Sequence, residues 1–191
     1  MTKPDTTPKL PPKLPGDFTR AQKVDRMLRV DHAGETGAVR IYEGQLAVFG
    51  ENHPKSAMIK HMLEQEEHHL STFNQLINDR GARPSALNPL WNIAGYTLGA
   101  ATALMGEKAA MACTAAVEEV IDQHYEEQRE ELKTWGDESP LEETIEKFQA
   151  EEVEHKEIAL KNGAQDTPGH EVLSSAIRVG CRAAIWLAKR V

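Results

Sequence analysis

The sequence predicts an all-α protein built around a four-helix bundle. From Thr19 onward, apolar residues recur at the spacing of amphipathic helices, and strand-like alternation is almost absent. Segments rich in glycine, proline, asparagine and aspartate separate the apolar stretches. Four of the predicted helices carry a carboxylate within the apolar stripe, which indicates a polar centre inside the bundle. The 191 residues are enough for one domain with a sizeable core.

Five turn-forming segments separate six predicted helices. The segments are residues 50–54, 80–89, 106–107, 135–140 and 162–169. The helices are predicted near residues 19–48, 54–79, 88–104, 107–133, 140–161 and 170–189. The first, second, fourth and fifth helices form the bundle, and the third and sixth are additional helices.

The two additional helices have an apolar or amphipathic character. Residues 90–106 contain no charge, although 17 residues are at the short end for a membrane span. Gly95 and Gly99 have the four-residue spacing that lets another helix approach closely. The last helix has an apolar side flanked by cations such as Arg178 and Arg182. We expect both helices to attach the protein to a membrane surface; packing in a soluble core or in the interface of a homo-oligomer is the alternative.

Residues 1–18 are predicted to form a disordered, proline-rich tail. Five of the ten prolines lie in the first 17 residues, and no apolar run interrupts them. The tail has no hydrophobic region of the kind found in signal peptides. Residues 19–191 are therefore expected to form the folded domain.

The composition limits the classes of partner. The 30 acidic residues outnumber the 22 basic ones and give a formal net charge of −8, so nucleic acid is not an expected partner, whereas a bound cation fits better. Cys113 and Cys181 are isolated in the sequence, which predicts neither a disulfide framework nor a thiolate zinc site. A reducing compartment is the expected location.

The sequence Glu-x-x-His occurs twice, at Glu66/His69 and at Glu152/His155. At 3.6 residues per turn, each pair lies in line with apolar residues and is predicted to be buried. The neighbouring glutamates of the fifth helix, including Glu151, are assigned to its solvated face. Burying a carboxylate is costly unless it is paired or bound to a cation, and no lysine or arginine shares either stripe. A metal ion is therefore the simplest predicted partner.

Two further glutamates, Glu35 and Glu118, interrupt the apolar stripes of the first and fourth helices. A turn segment lies near the midpoint between each of them and the next Glu-x-x-His pair, so each interval forms a hairpin with legs of about 23 Å. Because this layout occurs twice, the sequence predicts a duplicated hairpin around one shared centre. The predicted metal ligands are Glu35, Glu66, His69, Glu118, Glu152 and His155. Their pattern is the inward-facing ligand set of ferritin-like di-iron or di-manganese bundles.

Several residues near these ligands remain open to more than one interpretation. Asp31 and Asp122 each lie four residues from a predicted ligand, and they either accept a hydrogen bond from a ligand imidazole or serve as surface or capping carboxylates. Tyr125 either stands beside the metals or belongs to the core. His32 is a further near-site candidate, and His68 is expected to face solvent.

Five stretches carry a resemblance to a known family. They are residues 27–48, 65–70, 89–119, 151–155 and 180–190. The first stretch contains the sequence DHAGE. The third begins with PLWN and ends with AVEE. These stretches resemble the demethoxyubiquinone hydroxylase family of ubiquinone biosynthesis, and the resemblance extends over residues 19–191. In that family the di-iron ligands are the Glu of DHAGE, the first Glu of VEE and both Glu-x-x-His pairs. They fall on the same six residues here.

The resemblance implies a ferritin-like di-iron domain at residues 19–191 and an O₂-dependent monooxygenase that hydroxylates the ring of demethoxyubiquinol. It implies two iron ions per chain, O₂ and a polyprenylated benzoquinol as substrates, and a peripheral position on the cytoplasmic side of a bacterial inner membrane. It also implies a role for Tyr125, with its neighbour His124, in proton or electron transfer. Trp91, Tyr96 and Leu98 are hypothesised to lie near the path of the polyprenyl tail.

Two alternative functions are compatible with the same metal ligands. One is a soluble ferritin-like protein that oxidises iron or decomposes peroxide, although the apolar segment 90–106 argues against a water-soluble cage. The other is a non-catalytic, membrane-associated helical module with a structural metal. An assay for ring hydroxylation separates the first interpretation from both alternatives.

Overall fold

The computed structural model describes residues 16–136 and 138–191. Within these residues the fold is all-α, as predicted. The helices are α1 (Arg20–Phe49), α2 (Ser56–Arg80), α3 (Asn88–Leu104), α4 (Glu107–Trp135), α5 (Ser139–Lys161) and α6 (His170–Ala188). A short 3₁₀ turn, Ala164–Asp166, precedes α6 and was not predicted. Residues 1–15 of the predicted tail lie outside the described residues.

The helix ends follow local sequence signals. α1 begins at a capping box, in which the Thr19 side chain accepts a hydrogen bond from the Gln22 amide and the Gln22 side chain accepts one from the Thr19 amide. α4 ends at Gly136, whose φ of 71° is a left-handed conformation that glycine adopts without strain. Pro140 lies in the first turn of α5, where no helical hydrogen bond is lost. Because α4 ends and α5 begins within a few residues, the two helices form a hairpin.

The four bundle helices form two hairpins, α1–α2 and α4–α5, with α1 beside α4 and α2 beside α5. Hydrogen bonds between α1 and α4 show their relative direction. Gln45 Nε2 lies 3.4 Å from Thr114 Oγ1, and Gln128 Nε2 donates to Asp31 Oδ1 at 2.6 Å. Since the numbering rises along α1 as it falls along α4, the two helices are antiparallel. The predicted duplicated hairpin thus has an approximate two-fold relation between its halves.

The two additional helices pack against the bundle, α3 along α1 and α6 along α4. A Cβ atom added at Gly99 would lie 2.0 Å from the Ile41 carbonyl oxygen, and one at Gly95 would lie 2.6 Å from the Gly37 carbonyl oxygen. The four-residue glycine spacing in the sequence therefore serves the contact of α3 with α1. Among residues 16–136 and 138–191, no helix combines the length and apolarity needed to span a bilayer.

Two apolar clusters fill opposite ends of the bundle. One contains Phe73 and Phe148, and the other contains Met62 and Met111. The stretch of bundle between these clusters is occupied by acidic and imidazole side chains. The apolar clusters therefore hold a polar centre about halfway along the helices.

Candidate metal centre

The six side chains predicted as metal ligands converge at the middle of the bundle, and none is more than 1% exposed. They form two groups, in each of which the donor atoms all lie within 4.8 Å of one another. The first group is Glu35, Glu66, His69 and Glu152, and the second is Glu66, Glu118, Glu152 and His155. Glu66 and Glu152 belong to both groups. The predicted burial of all six residues is confirmed.

The donor atoms have the separations expected around a cation. His155 Nδ1 lies 3.1 Å from Glu66 Oε1, and His69 Nδ1 lies 3.2 Å from Glu152 Oε1. Both contacts join one hairpin to the other. Ligand atoms bound at about 2.1 Å and at right angles around one cation lie about 3 Å apart. The geometry therefore fits two neighbouring ligand spheres that share carboxylates.

Many polar atoms of this cluster lack a hydrogen-bond partner. They are Glu35 Oε2, both carboxylate oxygens of Glu66, His69 Nδ1, Glu118 Oε2, both carboxylate oxygens of Glu152, and His155 Nδ1. Buried polar atoms are normally paired, because an unpaired one costs about 1–3 kcal/mol. Two divalent cations would pair these atoms and balance the four carboxylates. The donor set of carboxylate and imidazole suits iron or manganese.

Hydrogen bonds on the far side of each imidazole fix the direction of its lone pair. His69 Nε2 donates to Glu151 Oε2 at 2.6 Å, and His155 Nε2 donates to Gln65 Oε1 at 3.1 Å. Because Nε2 carries the proton in this arrangement, Nδ1 presents its lone pair to the cluster. Both imidazoles are thus oriented to bind a cation through Nδ1.

These acceptors differ from the two aspartates that the sequence suggested. Asp31 instead accepts a hydrogen bond from Gln128, and Asp122 accepts hydrogen bonds from Gln149 and Lys156. Of the two interpretations left open for these aspartates, the hydrogen bond to a ligand imidazole is therefore contradicted, since their partners are other side chains.

The assignment of Glu151 to the solvated face of α5 was also wrong. Its side chain is 22% exposed and reaches across to His69 on α2. Glu151 and Gln65 are two residues of the candidate site that the sequence interpretation missed. Each immediately precedes a Glu-x-x-His pair, and this shared position is the sequence signal that identifies them.

Two tyrosines contact the unshared glutamates in a reciprocal way. The Tyr125 hydroxyl on α4 donates to Glu35 on α1, and the Tyr42 hydroxyl on α1 donates to Glu118 on α4 at 2.8 Å. Each tyrosine lies seven residues after the unshared glutamate of its own helix. The sequence interpretation identified Tyr125 and missed Tyr42, although the repeated seven-residue offset marks both.

The other histidines lie outside the two donor groups. His124 is buried, with Nε2 2.9 Å from Gln128 Nε2 and 3.5 Å from Asp31 Oδ1. His32 is also buried and pairs with Asn74 and Asn88. Neither His124 nor His32 belongs to either donor group. His68 is exposed, as predicted.

Burial and mutual charge determine the protonation of the cluster. Burial raises the pKa of Glu35 well above its usual value, and the Glu66 carboxylate raises it further. Burial also raises the pKa of Glu118, with Glu152 adding to the shift. Burial alone lowers the pKa of His155, but the close carboxylates of Glu152 and Glu66 outweigh it and raise the pKa to about 11. The cluster thus favours added positive charge, whether as protons or as cations.

An apolar cavity of about 530 Å³ lies between α1, α3, α4 and α6. Gly34 and Val117, the residues before Glu35 and Glu118, form part of its wall. Trp91 and Leu98 also line it. Tyr96, the third residue of the tail-path hypothesis, lies elsewhere: its ring packs against the Arg40 guanidinium and is partly exposed.

Residues 22–188 match the family described as Ubiquinone biosynthesis protein COQ7. The chain belongs to this family. The matched segment contains all six residues of the buried carboxylate and imidazole cluster, both tyrosines and the helices that line the apolar cavity. The family resemblance inferred from the sequence motifs is therefore confirmed.

Several relatives are similar to this chain along most of its length. A 3-demethoxyubiquinol 3-hydroxylase of Rhodospirillum rubrum is 55% identical over 179 residues, which are 94% of this chain and 84% of the relative. The mitochondrial NADPH-dependent 3-demethoxyubiquinone 3-hydroxylase of Homo sapiens is 48% identical over 88% of this chain and 78% of the relative. The mitochondrial 5-demethoxyubiquinone hydroxylase of Saccharomyces cerevisiae is 41% identical over 90% of this chain and 80% of the relative.

Proposed function

We propose that this chain is an O₂-dependent di-iron monooxygenase that hydroxylates the ring of demethoxyubiquinol in ubiquinone biosynthesis. The observation that carries the proposal is the set of unpaired donor atoms in two groups that share Glu66 and Glu152. The names of the relatives support the substrate and the reaction. The alternative functions, iron or peroxide oxidation and structural metal binding, lack this support.

The proposed iron ligands follow from the two groups. Glu66 and Glu152 would serve both ions, since each belongs to both donor groups and has two unpaired carboxylate oxygens. Glu35 and His69 complete one position, and Glu118 and His155 complete the other. Two reduced iron ions, when bound by these residues, would supply the two electrons needed to insert one oxygen atom of O₂ into the ring, and the other oxygen atom would leave as water after taking up two protons.

Tyr125 and His124 are the proposed residues for proton or electron transfer. The Tyr125 hydroxyl donates to Glu35 within the cluster. His124 lies beside it on α4 and, with Gln128, lines a surface pocket of about 230 Å³. Asp31 accepts a hydrogen bond from Gln128, and its Oδ1 atom lies 3.5 Å from His124 Nε2. The rings of His124 and Tyr125 lie 6.5 Å apart, and this proximity of the pocket-lining polar group to Tyr125 supports a role in proton exchange with the cluster.

The apolar cavity is the proposed site of the polyprenylated substrate. Its volume is within the range of about 300–1,000 Å³ that is typical of small-molecule sites, and its wall is predominantly apolar. Gly34 and Val117 place one side of the cavity beside the backbone of two proposed iron ligands. Trp91 and Leu98 would contact the tail, and the low polarity of the wall would exclude water from the ring-binding end.

A membrane surface is the proposed source of this substrate. Exposed apolar side chains lie along α3 and α6, and they include Ile93, Leu104, Val172, Val179 and Trp186. The Arg190 guanidinium lies 3.7 Å above the Trp186 ring, a pairing of cation and aromatic side chain that suits an interface with lipid headgroups. We place the protein peripherally, on the cytoplasmic side of a bacterial inner membrane.

Ring hydroxylation by the iron-loaded protein tests the proposed function. We expect the protein with two iron ions to convert demethoxyubiquinol to its 3-hydroxylated product with O₂ and NADPH, the reductant named for the human relative. One oxygen atom from ¹⁸O₂ should appear in the product by mass spectrometry. Glu152→Ala should reduce the bound iron from about two ions per chain to fewer than one and abolish the product, because it removes a shared ligand.

Glu154→Ala is the matched control, since Glu154 is exposed on the same helix and belongs to neither donor group. This variant should retain both iron ions and the activity. Absence of hydroxylated product from protein that contains two iron ions would contradict the proposed function and favour one of the two alternatives.

A further inference from the structure

The two imidazoles of the cluster donate their outward-facing N–H groups to chemically different acceptors. His69 Nε2 donates to a carboxylate oxygen of Glu151 at 2.6 Å, whereas His155 Nε2 donates to the amide oxygen of Gln65 at 3.1 Å. The shorter distance is that of a charge-assisted hydrogen bond, and the longer one is that of a neutral pair. The imidazole of the first metal position thus has a negatively charged neighbour that the second lacks.

Gln65 and Glu151 occupy equivalent positions of the duplicated hairpin. Glu151 follows Gln65 by 86 residues, the same offset that separates Glu152 from Glu66 and His155 from His69. Each side chain reaches from its own hairpin to the histidine of the other. The two halves of the duplicated hairpin therefore differ at this position, where one has the amide of Gln65 and the other has the carboxylate of Glu151.

The remaining donors of the two positions are alike. Each position has one unshared glutamate held by a tyrosine, one imidazole and the same two shared carboxylates. A carboxylate that accepts the distal N–H of a metal-bound imidazole makes that imidazole a stronger electron donor to the metal. Among the described donors, the hydrogen-bond acceptor of the imidazole is therefore the feature that can give the two positions different affinities for metal.

We propose that Glu151 and Gln65 are positioning residues that make the two iron positions unequal. The position of Glu35 and His69 binds Fe²⁺ more tightly and fills first, because Glu151 increases the basicity of His69. The position of Glu118 and His155, supported by the neutral Gln65, binds more weakly. This inference rests on the proposed di-iron site.

Anaerobic titration of the metal-free, full-length protein with Fe²⁺ tests the inference. The wild type should bind two ions in two steps that differ by about tenfold or more in affinity. Glu151→Gln should weaken the tighter step about tenfold, so that the two steps converge. Gln65→Glu should instead strengthen the weaker step and make the steps converge at high affinity. The opposite directions of these two changes distinguish the effect of the acceptor from a general loss of structure.

Mössbauer spectra of the ⁵⁷Fe-loaded proteins provide a second readout. The wild type should give two quadrupole doublets of equal area. Each single variant should bring the doublets together, because both imidazoles then have acceptors of the same type. The double variant Glu151→Gln/Gln65→Glu should restore two separate doublets and two binding steps.

Two controls make the same charge changes away from the imidazoles. Glu154→Gln lies on α5 and Gln75→Glu lies on α2, and both positions are exposed. Both controls should leave the two binding steps within about twofold of the wild type.

Three results would overturn the inference. One is that Glu151→Gln and Gln65→Glu leave both steps unchanged, and another is that Glu151→Gln weakens only the weaker step. The third is uptake of two ions in one step, with a single doublet, by the wild type. All three leave the proposed function standing, whereas a wild type that takes up no iron overturns both. If Gln65→Glu does not fold, Glu151→Gln alone decides the outcome.

Discussion

Tyr42 and Tyr125 hold glutamates that belong to opposite hairpins of the duplicated bundle. Each hydroxyl is buried and donates to a carboxylate whose remaining oxygen is unpaired. Burial raises the pKa of both hydroxyls well above the usual value, so each stays protonated and acts as a hydrogen-bond donor. Both hydroxyls make the same kind of contact with the cluster, but Tyr125 is adjacent to His124, which lines a surface pocket together with Gln128.

Replacement of the two tyrosines by phenylalanine separates positioning from proton or electron transfer. Tyr125→Phe should lower the turnover number about a hundredfold, the usual scale for loss of a group that transfers protons. Tyr42→Phe, the matched control, removes the same kind of hydrogen bond and should lower turnover less than tenfold. Both variants should lose about 1–3 kcal/mol of unfolding free energy in urea. Equal losses of turnover would assign both tyrosines to positioning alone.

At the scale of helices, the seam between α1 and α3 depends on small residues. A Cβ added at Gly44 would lie 2.3 Å from the Tyr96 carbonyl oxygen, and one at Gly99 would lie 2.0 Å from that of Ile41. Both distances are shorter than the contacts that real Cβ atoms make with backbone atoms. The backbone of α3 therefore packs directly against the helix that carries Glu35 and one wall of the apolar cavity.

Gly99→Ala should force α3 away from α1. We expect a loss of about 1–3 kcal/mol in the free energy of unfolding, measured by urea denaturation, because the added methyl meets rigid backbone. Gly180→Ala is the matched control: Gly180 is also helical, but nothing lies within 4 Å of its added Cβ. The control should keep or gain stability, by up to about 1 kcal/mol, because alanine favours helix more than glycine. Equal effects of the two substitutions would show that the seam is not close-packed.

At the scale of the whole molecule, folding brings four carboxylates together from helices spread over most of the chain. In the unfolded chain these groups are far apart and hydrated, whereas in the bundle they are buried and repel one another. A cation that binds the folded bundle therefore offsets this repulsion and stabilises the fold.

Metal binding should raise the melting temperature. A ligand at about 100 times its dissociation constant adds about 2.7 kcal/mol per site, and about 1 kcal/mol shifts the melting temperature of a chain of this size by about 2–4 °C. Anaerobic Fe²⁺ should thus raise the melting temperature by about 5–10 °C per site relative to protein with a chelator. Glu152→Ala should lose most of the shift. An equal shift in this variant would place the stabilising metal elsewhere in the protein.

The features that depend on helical periodicity and spacing were predictable from the residues alone. The apolar stripes predicted the class and all six α-helices, and the position of Glu35, Glu66, Glu118 and Glu152 within those stripes predicted their burial, because a helix repeats its face every 3.6 residues. The similar lengths of the two hairpin intervals, 31 residues from Glu35 to Glu66 and 34 from Glu118 to Glu152, predicted that the two halves meet at one centre. These inferences succeeded because each depends on contacts within a helix or across a short turn.

Only the tertiary structure decided which side chains meet across different hairpins. Helical spacing suggested Asp31 and Asp122 as partners of the cluster imidazoles, but the rotation and height of facing helices instead bring Glu151 to His69 and Gln65 to His155. The reciprocal tyrosine contacts and the cavity between four helices have the same origin. Periodicity within a helix fixes the face of a residue, whereas the packing of whole helices fixes its partner.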